Sequence, residues 1–191
     1  KKFPNLERVT AYGTTQDILH KSENELKCLK EAGLDMVYMG IESGDPQVLK
    51  DVKKGVTREQ MIEAGQKLKS CGILCSATLI SGLGGRQRLR EHAVASATLI
   101  SAIKPDYVGF LTLMMEAPIY SRIVSGELEL LNPEDVVEEM KLFLQNVNSD
   151  GTVFRSNHAS NYVILKGTLN EDIPSMLDYL DQVEQQGKYR E

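Results

Sequence analysis

The chain contains only three cysteines, Cys28, Cys71 and Cys75, among its 191 residues. An odd number of thiols without secretory features argues against a disulfide framework and for reduced cysteines. Cys71 and Cys75 stand close together, but a cubane iron-sulfur cluster needs several thiolates converging from one loop. Because Cys71 ends a predicted helix and Cys75 lies in a predicted strand, we expect both to be small buried hydrophobic residues. We therefore predict no metal ligands within the chain.

The sequence also lacks a long apolar run and an excess of positive charge. Its longest apolar stretch, residues 93–103, is too short and too rich in serine and threonine to span a bilayer. No signal-peptide pattern opens the chain, so we expect a cytoplasmic protein without a membrane partner. A formal net charge of -5 argues against a general nucleic-acid surface, since phosphate binding needs clustered lysine and arginine. A small-molecule partner fits this composition better.

Apolar strands and capped helices alternate along the chain without a low-complexity linker, so we expect a single domain over residues 1–191. Ser22 and Thr57 each precede a glutamate or glutamine by three positions, which is typical of a capping box at the start of a helix. Asn132 directly precedes a proline, which is also typical of a helix start. Helices of about a dozen residues between strands imply parallel βαβ units, hence an open sheet or part of a barrel. The predicted strands are residues 6–13, 36–41, 73–80, 107–115 and 152–155.

The second predicted strand ends abruptly in the polar sequence Glu42-Ser43-Gly44. In open α/β sheets and barrels, ligands bind at the carboxyl ends of parallel strands. A carboxylate in that place can accept hydrogen bonds from a sugar diol. Two readings stay open, because Glu42 could instead cap the next helix or pair with Lys53 or Lys54.

The third predicted strand runs into a glycine-rich turn, Gly82-Leu83-Gly84-Gly85. Glycines let a backbone approach a ligand closely, but they also simply permit tight turns. The turn is not a GxGxxG fingerprint, and the chain has no P-loop.

The chain has three histidines, of which His158 is the candidate catalytic residue. It follows the fifth predicted strand among Arg155, Ser156 and Asn157, and a plain polar loop is the alternative reading. His20 and His92 lie in predicted helices, where we expect surface or packing residues.

Several short motifs, taken together and in order, resemble the radical S-adenosylmethionine superfamily. GIESGD, VKKGVT and LISGLGG follow the order of that superfamily's GxES motif, its basic residue a dozen positions on, and its glycine turn after the next strand. The later segments SRIVSGELE and FRSNHASNYVILKGTL look like the Fe-S oxidoreductase subgroup related to oxygen-independent coproporphyrinogen oxidases. The resemblance covers nearly the whole chain.

The resemblance implies a partial parallel (β/α) barrel, corresponding to strands three onward of a TIM-like (β/α)6 barrel. It also implies that the intact protein is an iron-sulfur oxidoreductase. In such enzymes a [4Fe-4S] cluster reduces S-adenosylmethionine to methionine and a 5′-deoxyadenosyl radical, which acts on a substrate. Here the expected substrate is a small molecule that the sequence does not identify.

The resemblance also implies roles for individual residues. Glu42, with Ser43 beside it, matches the ribose-contacting position at the end of its strand. Lys54 matches the basic residue that holds the methionine carboxylate. Arginine is usual there, and lysine cannot form the two parallel hydrogen bonds that arginine makes to a carboxylate. Thr78 matches a second ribose-contacting position. The stretch whose backbone packs on adenine is matched by Ile80, Gly82, Leu83 and Gly84.

The chain departs from the superfamily pattern at its front. The cluster-binding CxxxCxxC motif and the glycine-rich stretch that holds the methionine amine are not in the sequence. Its first predicted strand matches the third strand of the barrel, so we expect a carboxyl-terminal portion of a longer protein, inactive alone and with the cluster ligands outside this chain. An unpaired parallel edge would also favour self-association.

Two other functions remain open from the residues. One is an ordinary phosphate-binding (β/α) barrel enzyme without iron, with Lys54 or His158 catalytic and phosphate on the amides of residues 82–85. The other is a non-catalytic βα binding module whose cavity has become a protein-binding surface.

Overall fold

A computed structural model of the chain describes residues 5–115 and 117–190. Within these residues the strands form one six-stranded sheet in the order of the chain. The strands are β1 Val9–Tyr12, β2 Leu34–Glu42, β3 Leu74–Ser81, β4 Tyr107–Thr112, β5 Val153–Ser156 and β6 Leu165–Thr168. The helices are α1 Thr15–His20, α2 Glu23–Glu31, α3 Pro46–Asp51, α4 Arg58–Ser70, α5 Leu89–Ile103, α6 Ala117–Val124, α7 Pro133–Asn146 and α8 Ile173–Gln186.

The first five strands are parallel neighbours, and β6 is antiparallel to β5. The sheet is not closed, and this confirms the predicted α/β class with a partial barrel. The antiparallel β6 was not expected from the sequence. Only residues 157–164 connect it to β5. A parallel return needs a crossover of a dozen or more residues, so this connection is too short for one.

Three of the eight helices in the described residues begin at the predicted capping residues. Ser22 caps α2 and Thr57 caps α4, each in a reciprocal capping box, and Asn132 caps α7 ahead of a proline at the first turn. The sequence prediction missed α1, although Thr14 caps it in a third reciprocal box with Asp17. It also missed α6 and extended β4 to residue 115, three residues beyond the observed end. No helix in the described ranges is both long and apolar enough to cross a membrane.

Alternate residues of the strands face opposite sides of the sheet. One side packs against the helices, and it carries Met39 and Ile41 of β2 and Ala77 and Leu79 of β3, all fully buried. The other side, here called the inner face, carries the intervening residues. The inner-face residues used below are Gly40, Glu42, Ser76, Thr78, Ile80, Gly109 and Leu111. The inner face therefore presents the polar strand ends of β2 and β3 beside each other.

The two predicted core cysteines are buried as expected. Cys71 and Cys75 are 5% and 2% exposed and belong to the core between sheet and helices, whereas Cys28 is exposed. The two buried side chains therefore act as small core residues.

Candidate functional site

A cavity of about 370 Å³ opens where the carboxyl ends of β2, β3 and β4 meet the loop after β5, and we call it the rim pocket. Parallel strands bring their carboxyl ends to one edge, so polar groups that follow each strand converge there. Two cavities of about 610 Å³ lie elsewhere, around the α3–α4 connection and beneath α6, and contain none of these strand ends. The rim pocket is lined by Glu42, Val52, Lys54, Ile80, Leu83, Leu111, Thr112, Leu113, Met114, Ile119, His158 and Ser160.

The rim pocket brings together most of the residues singled out from the sequence. Five of the candidates, Glu42, Lys54, Ile80, Leu83 and His158, line this one cavity. Two more lie next to it. Thr78 is on the inner face two residues before Ile80, and Gly82 lines an adjoining cavity of about 320 Å³.

Two predicted site residues lie outside the cavities at the rim. Ser43 is fully buried, and its hydroxyl is bonded to His92 and to the amide of Asp45. A side chain at Gly84 would meet His92 and Arg88, so Gly84 packs against α5. Both positions therefore lie against α5.

Glu42 carries the most unusual backbone conformation at the site. Its φ of 66° lies in the left-handed region, which side chains larger than glycine adopt at a cost of order 1–3 kcal/mol. The sheet register also shifts between Gly40 and Glu42. The carboxylate lies over Gly40, and its Oε1 is 3.2 Å from Lys54 Nζ, with both side chains about one quarter exposed. The predicted pairing with Lys54 is therefore present in the free protein, and it leaves room for ligand contact.

A row of small residues crosses the inner face, and Gly40, beneath the Glu42 carboxylate, is at one end of it. Gly40, Thr78 and Gly109 are in register across β2, β3 and β4. A side chain added at Gly109 would have no neighbour within 4 Å, so the inner face is open there. Thr78 is thus the one residue in this row that has a side chain, and a glycine flanks it on each side.

His158 lines the far side of the rim pocket and is held by Ser160. Its Nδ1 is 2.8 Å from the Ser160 hydroxyl and accepts the Ser160 amide at 3.2 Å. The Ser160 hydroxyl oxygen accepts the amide of Thr112, which leaves its proton to donate to Nδ1. In neutral His158 the proton therefore resides on Nε2, the atom available to a ligand.

A buried polar network behind the pocket was missed from the sequence. Glu139 of α7 accepts hydrogen bonds from the Ser81 hydroxyl and, at 3.0 Å, from the Gly82 amide. Its Oε1 is 3.7 Å from His92 Nε2, and both side chains are at most 2% exposed. Burial raises the pKa of Glu139, and His92, Ser81 and the Gly82 amide partly oppose that shift. The signal in the sequence was an acid inside the apolar stripe of α7.

Three amides of the glycine turn already have acceptors within the protein. Leu83 N donates to Ile80 O and Gly85 N donates to Gly82 O, while the Gly82 amide faces the Glu139 carboxyl group. A phosphate on this turn would have to displace these acceptors, one of which is acidic. This arrangement weighs against the phosphate-binding reading.

The described residues do not fit an iron-sulfur cluster. In residues 5–115 and 117–190, no group of three or more histidine, cysteine, aspartate or glutamate side chains could hold a metal ion. Burial, with a smaller contribution from Asp106, raises the pKa of Cys75 to about 12, which disfavours the thiolate that a cluster needs. The rim pocket, in contrast, combines apolar side chains with a few polar groups, among them Glu42 and Lys54, as is typical of small-molecule sites.

The fold and the rim pocket together define an open, barrel-like α/β protein with a cavity at its strand ends. Residues 6–94 match the profile of the Radical SAM superfamily. Over these residues, just under half of the chain, the sequence is similar to the superfamily that its motifs resemble.

Two curated proteins are similar in sequence. An uncharacterized methyltransferase of Pyrococcus horikoshii is 33% identical over 89 residues, which cover 47% of this chain and 19% of that protein. A putative methylthiotransferase of Methanocaldococcus jannaschii is 38% identical over 58 residues, which cover 30% of this chain and 13% of that protein. The chain thus spans a small part of the length of the curated relatives it matches.

Solved structures of radical SAM proteins share the fold. The archaeal Elp3 of Methanocaldococcus infernus has a TM-score of 0.64 at 20% identity, over 95% of this chain and 42% of that one. Coproporphyrinogen III oxidase of Escherichia coli, a radical SAM enzyme, has a TM-score of 0.56 at 14% identity, over 95% of this chain and 50% of that one. These similarities confirm the predicted barrel-like architecture.

Proposed function

We propose that the rim pocket binds the adenosyl part of S-adenosylmethionine, within a radical SAM enzyme that acts on a small-molecule substrate. The observation that carries this proposal is the Glu42 carboxylate, which lies over Gly40 and lines the rim pocket together with Lys54 and the apolar Ile80. In the intact protein, a [4Fe-4S] cluster held by ligands outside this chain would supply the electron for S-adenosylmethionine cleavage. The residues of this chain bind and orient the nucleoside.

The two charged residues of the pocket have complementary parts in this proposal. Glu42 accepts hydrogen bonds from the ribose hydroxyls, and Lys54 holds the methionine carboxylate. In the free protein they neutralise each other at 3.2 Å. Binding therefore exchanges one partly exposed ion pair for ligand contacts, and such a pair stabilises the fold by only about 0–1 kcal/mol.

The apolar wall of the pocket suits the flat face of the base. Ile80 and Leu83 line the side next to β3, and Leu111 lines the side next to β4. Apolar side chains with a few well-placed polar groups are typical of small-molecule sites. His158 lies on the opposite side of the rim pocket from Glu42, and we assign that side to the substrate.

The reaction class is proposed from the relatives. The two curated proteins are named as a methyltransferase and a methylthiotransferase, so transfer of a one-carbon or sulfur-containing group stands beside oxidoreduction as the chemistry of the intact protein. Members of one fold share the cofactor side of the site and differ in the cavity, so the substrate itself is not assigned.

The proposal is tested by anaerobic turnover of the full-length protein. After reduction with dithionite, we expect iron-sulfur absorbance and release of 5′-deoxyadenosine and methionine from S-adenosylmethionine. Glu42→Ala should lower the rate about tenfold or more, because a charged hydrogen-bond acceptor is lost. Lys53→Ala, a change at an exposed neighbour outside the rim pocket, should leave it unchanged. An iron-free protein that does not cleave S-adenosylmethionine would overturn the proposal.

A further inference from the structure

The two walls of the rim pocket are joined behind the sheet by the buried network of Glu139 and His92. We propose that Glu139 is a positioning residue, which fixes the Ser81–Gly82 turn so that Leu83 and Glu42 face each other across the pocket. Glu139 contacts no pocket atom itself and acts through the turn. The expected effect of Glu139 on ligand binding rests on the proposed function, whereas its effect on the conformation of the turn does not.

The first link joins α7 to the end of β3. The Glu139 carboxyl group accepts the Ser81 hydroxyl and the Gly82 amide, the latter at 3.0 Å. Gly82 has a φ of 82°, which glycine adopts readily, so backbone geometry alone does not hold this turn in one conformation. Leu83, the next residue, lines the rim pocket. Fixing the Gly82 amide therefore fixes the wall that Leu83 contributes.

The second link joins α5 to the end of β2. His92 Nε2 lies 3.1 Å from the carbonyl oxygen of Ile80 and 3.7 Å from Glu139 Oε1. Its Nδ1 is 2.8 Å from the hydroxyl of Ser43, which accepts the Asp45 amide at 2.9 Å. Ser43 directly follows Glu42 in the chain. Hydrogen bonds of His92 thus join the two strand ends, and Glu139 lies beside them at 3.7 Å, beyond hydrogen-bond distance.

A buried carboxyl group at this place is a poor source of stability. Removing a charge from water is costly, and replacement of buried ionic groups by apolar ones of similar size is often neutral or stabilising. The contacts of Glu139 instead satisfy two donors of a turn that forms a pocket wall. Its contribution therefore lies in the conformation of the turn.

Hydrogen exchange separates this role from general stability. In the full-length protein, Glu139→Leu should speed amide exchange at Gly82 about tenfold or more, because the buried amide loses its acceptor. Glu139→Gln, which keeps one acceptor oxygen, should restore most of the protection. Val137→Ala, a buried change on the same helix at a residue without a polar side chain, should leave Gly82 exchange unchanged relative to the rest of the core. Equal Gly82 exchange in Glu139→Leu and Val137→Ala would overturn the proposal.

Ligand binding distinguishes this proposal from the proposed function. With S-adenosylhomocysteine as the probe, Glu139→Leu should raise the dissociation constant about tenfold, while Glu139→Gln and Val137→Ala stay near the wild-type value. A wild-type protein that does not bind the probe would contradict the proposed function, and the exchange measurement would still decide the role of Glu139. Wild-type binding that is unchanged in Glu139→Leu would contradict the positioning role alone.

Discussion

The carboxylate of Glu42 occupies the space above Gly40 that a side chain at Gly40 would need. Glu42 reaches this place because its backbone is left-handed, with a φ of 66°, immediately after a shift in the register of β2 and β3. Strained conformations of this kind persist where the surrounding structure holds them, and they cluster at ligand sites. The relationship between Glu42 and Gly40 therefore links the backbone of β2 to the proposed chemistry.

Replacing Glu42 by glycine tests this link. The φ of 66° suits glycine, so relief of strain should offset the lost ion pair, and the free energy of unfolding should change by less than about 1 kcal/mol. The dissociation constant for S-adenosylhomocysteine should rise about tenfold or more, because the ribose loses its charged acceptor. Urea denaturation and calorimetric titration measure the two quantities.

Lys53→Gly is the matched control for this change. Lys53 is exposed and also left-handed, with a φ of 54°, and it does not line the rim pocket. We expect the same small effect on stability and no effect on binding. Equal loss of binding in both variants would show that backbone flexibility, not the Glu42 carboxylate, determines affinity.

A second prediction concerns the open floor at Gly109. A methyl group at this position meets no atom within 4 Å and replaces glycine in a strand, so Gly109→Ala should stabilise the fold by about 0.5–1 kcal/mol. The same methyl group rises beside Thr78 and should weaken nucleoside binding. Ser76→Ala, on the same face two residues before Thr78, should leave binding unchanged. Stronger nucleoside binding in Gly109→Ala would show that the inner face at Gly109 is not part of the ligand site.

The pH dependence of stability provides a third prediction. Burial raises the pKa of Glu139 above its ordinary value of 4.5, so above pH 4.5 the unfolded chain loses a proton that the folded protein keeps. The free energy of unfolding should therefore fall as pH rises, by up to about 1.4 kcal/mol per pH unit, until pH passes the folded pKa of Glu139.

This pH dependence is measured as the difference between wild type and Glu139→Leu. Urea denaturation at a series of pH values above 4.5 should show the wild type losing stability relative to the variant. Val137→Ala should parallel the wild type at every pH, since it changes no titratable group. If the free energy of unfolding had the same pH dependence in wild type and Glu139→Leu, the pKa of Glu139 would not be raised in the folded protein.

The cysteines provide a fourth prediction. Because burial raises the pKa of Cys75 to about 12, its thiol should resist alkylation by iodoacetamide in the folded protein at pH 8. Exposed Cys28 should react under the same conditions. Mass spectrometry of the digested protein measures the alkylation of each cysteine. In urea, Cys75 should become exposed and react as well. Rapid native alkylation of Cys75 would contradict its assignment to the core.

Much of the fold was readable from the sequence because local signals agreed with the packing. The capping residues Ser22, Thr57 and Asn132 correctly predicted the starts of three helices. Strand β6 was not predicted, since it has four residues with a glycine among them and no clear alternation. Its direction follows from the short connection after β5.

The candidate site was predicted where polar residues follow a strand directly. Glu42 and His158 could be chosen because strand ends of parallel sheets converge, and both line the rim pocket. The roles of Ser43 and Gly84 depend on which way each turn faces, and this is fixed by packing against α5. Glu139 lies 57 residues from Gly82, so no local pattern could connect the two.

The central claim, that the rim pocket holds the adenosyl group, is tested most directly by a crystal structure of the full-length protein with S-adenosylhomocysteine. We predict the ribose hydroxyls at the Glu42 carboxylate, the base between Ile80 and Leu83, and Lys54 turned from Glu42 toward the ligand carboxylate. A nucleoside bound away from Glu42, with the Glu42–Lys54 ion pair intact, would contradict the account.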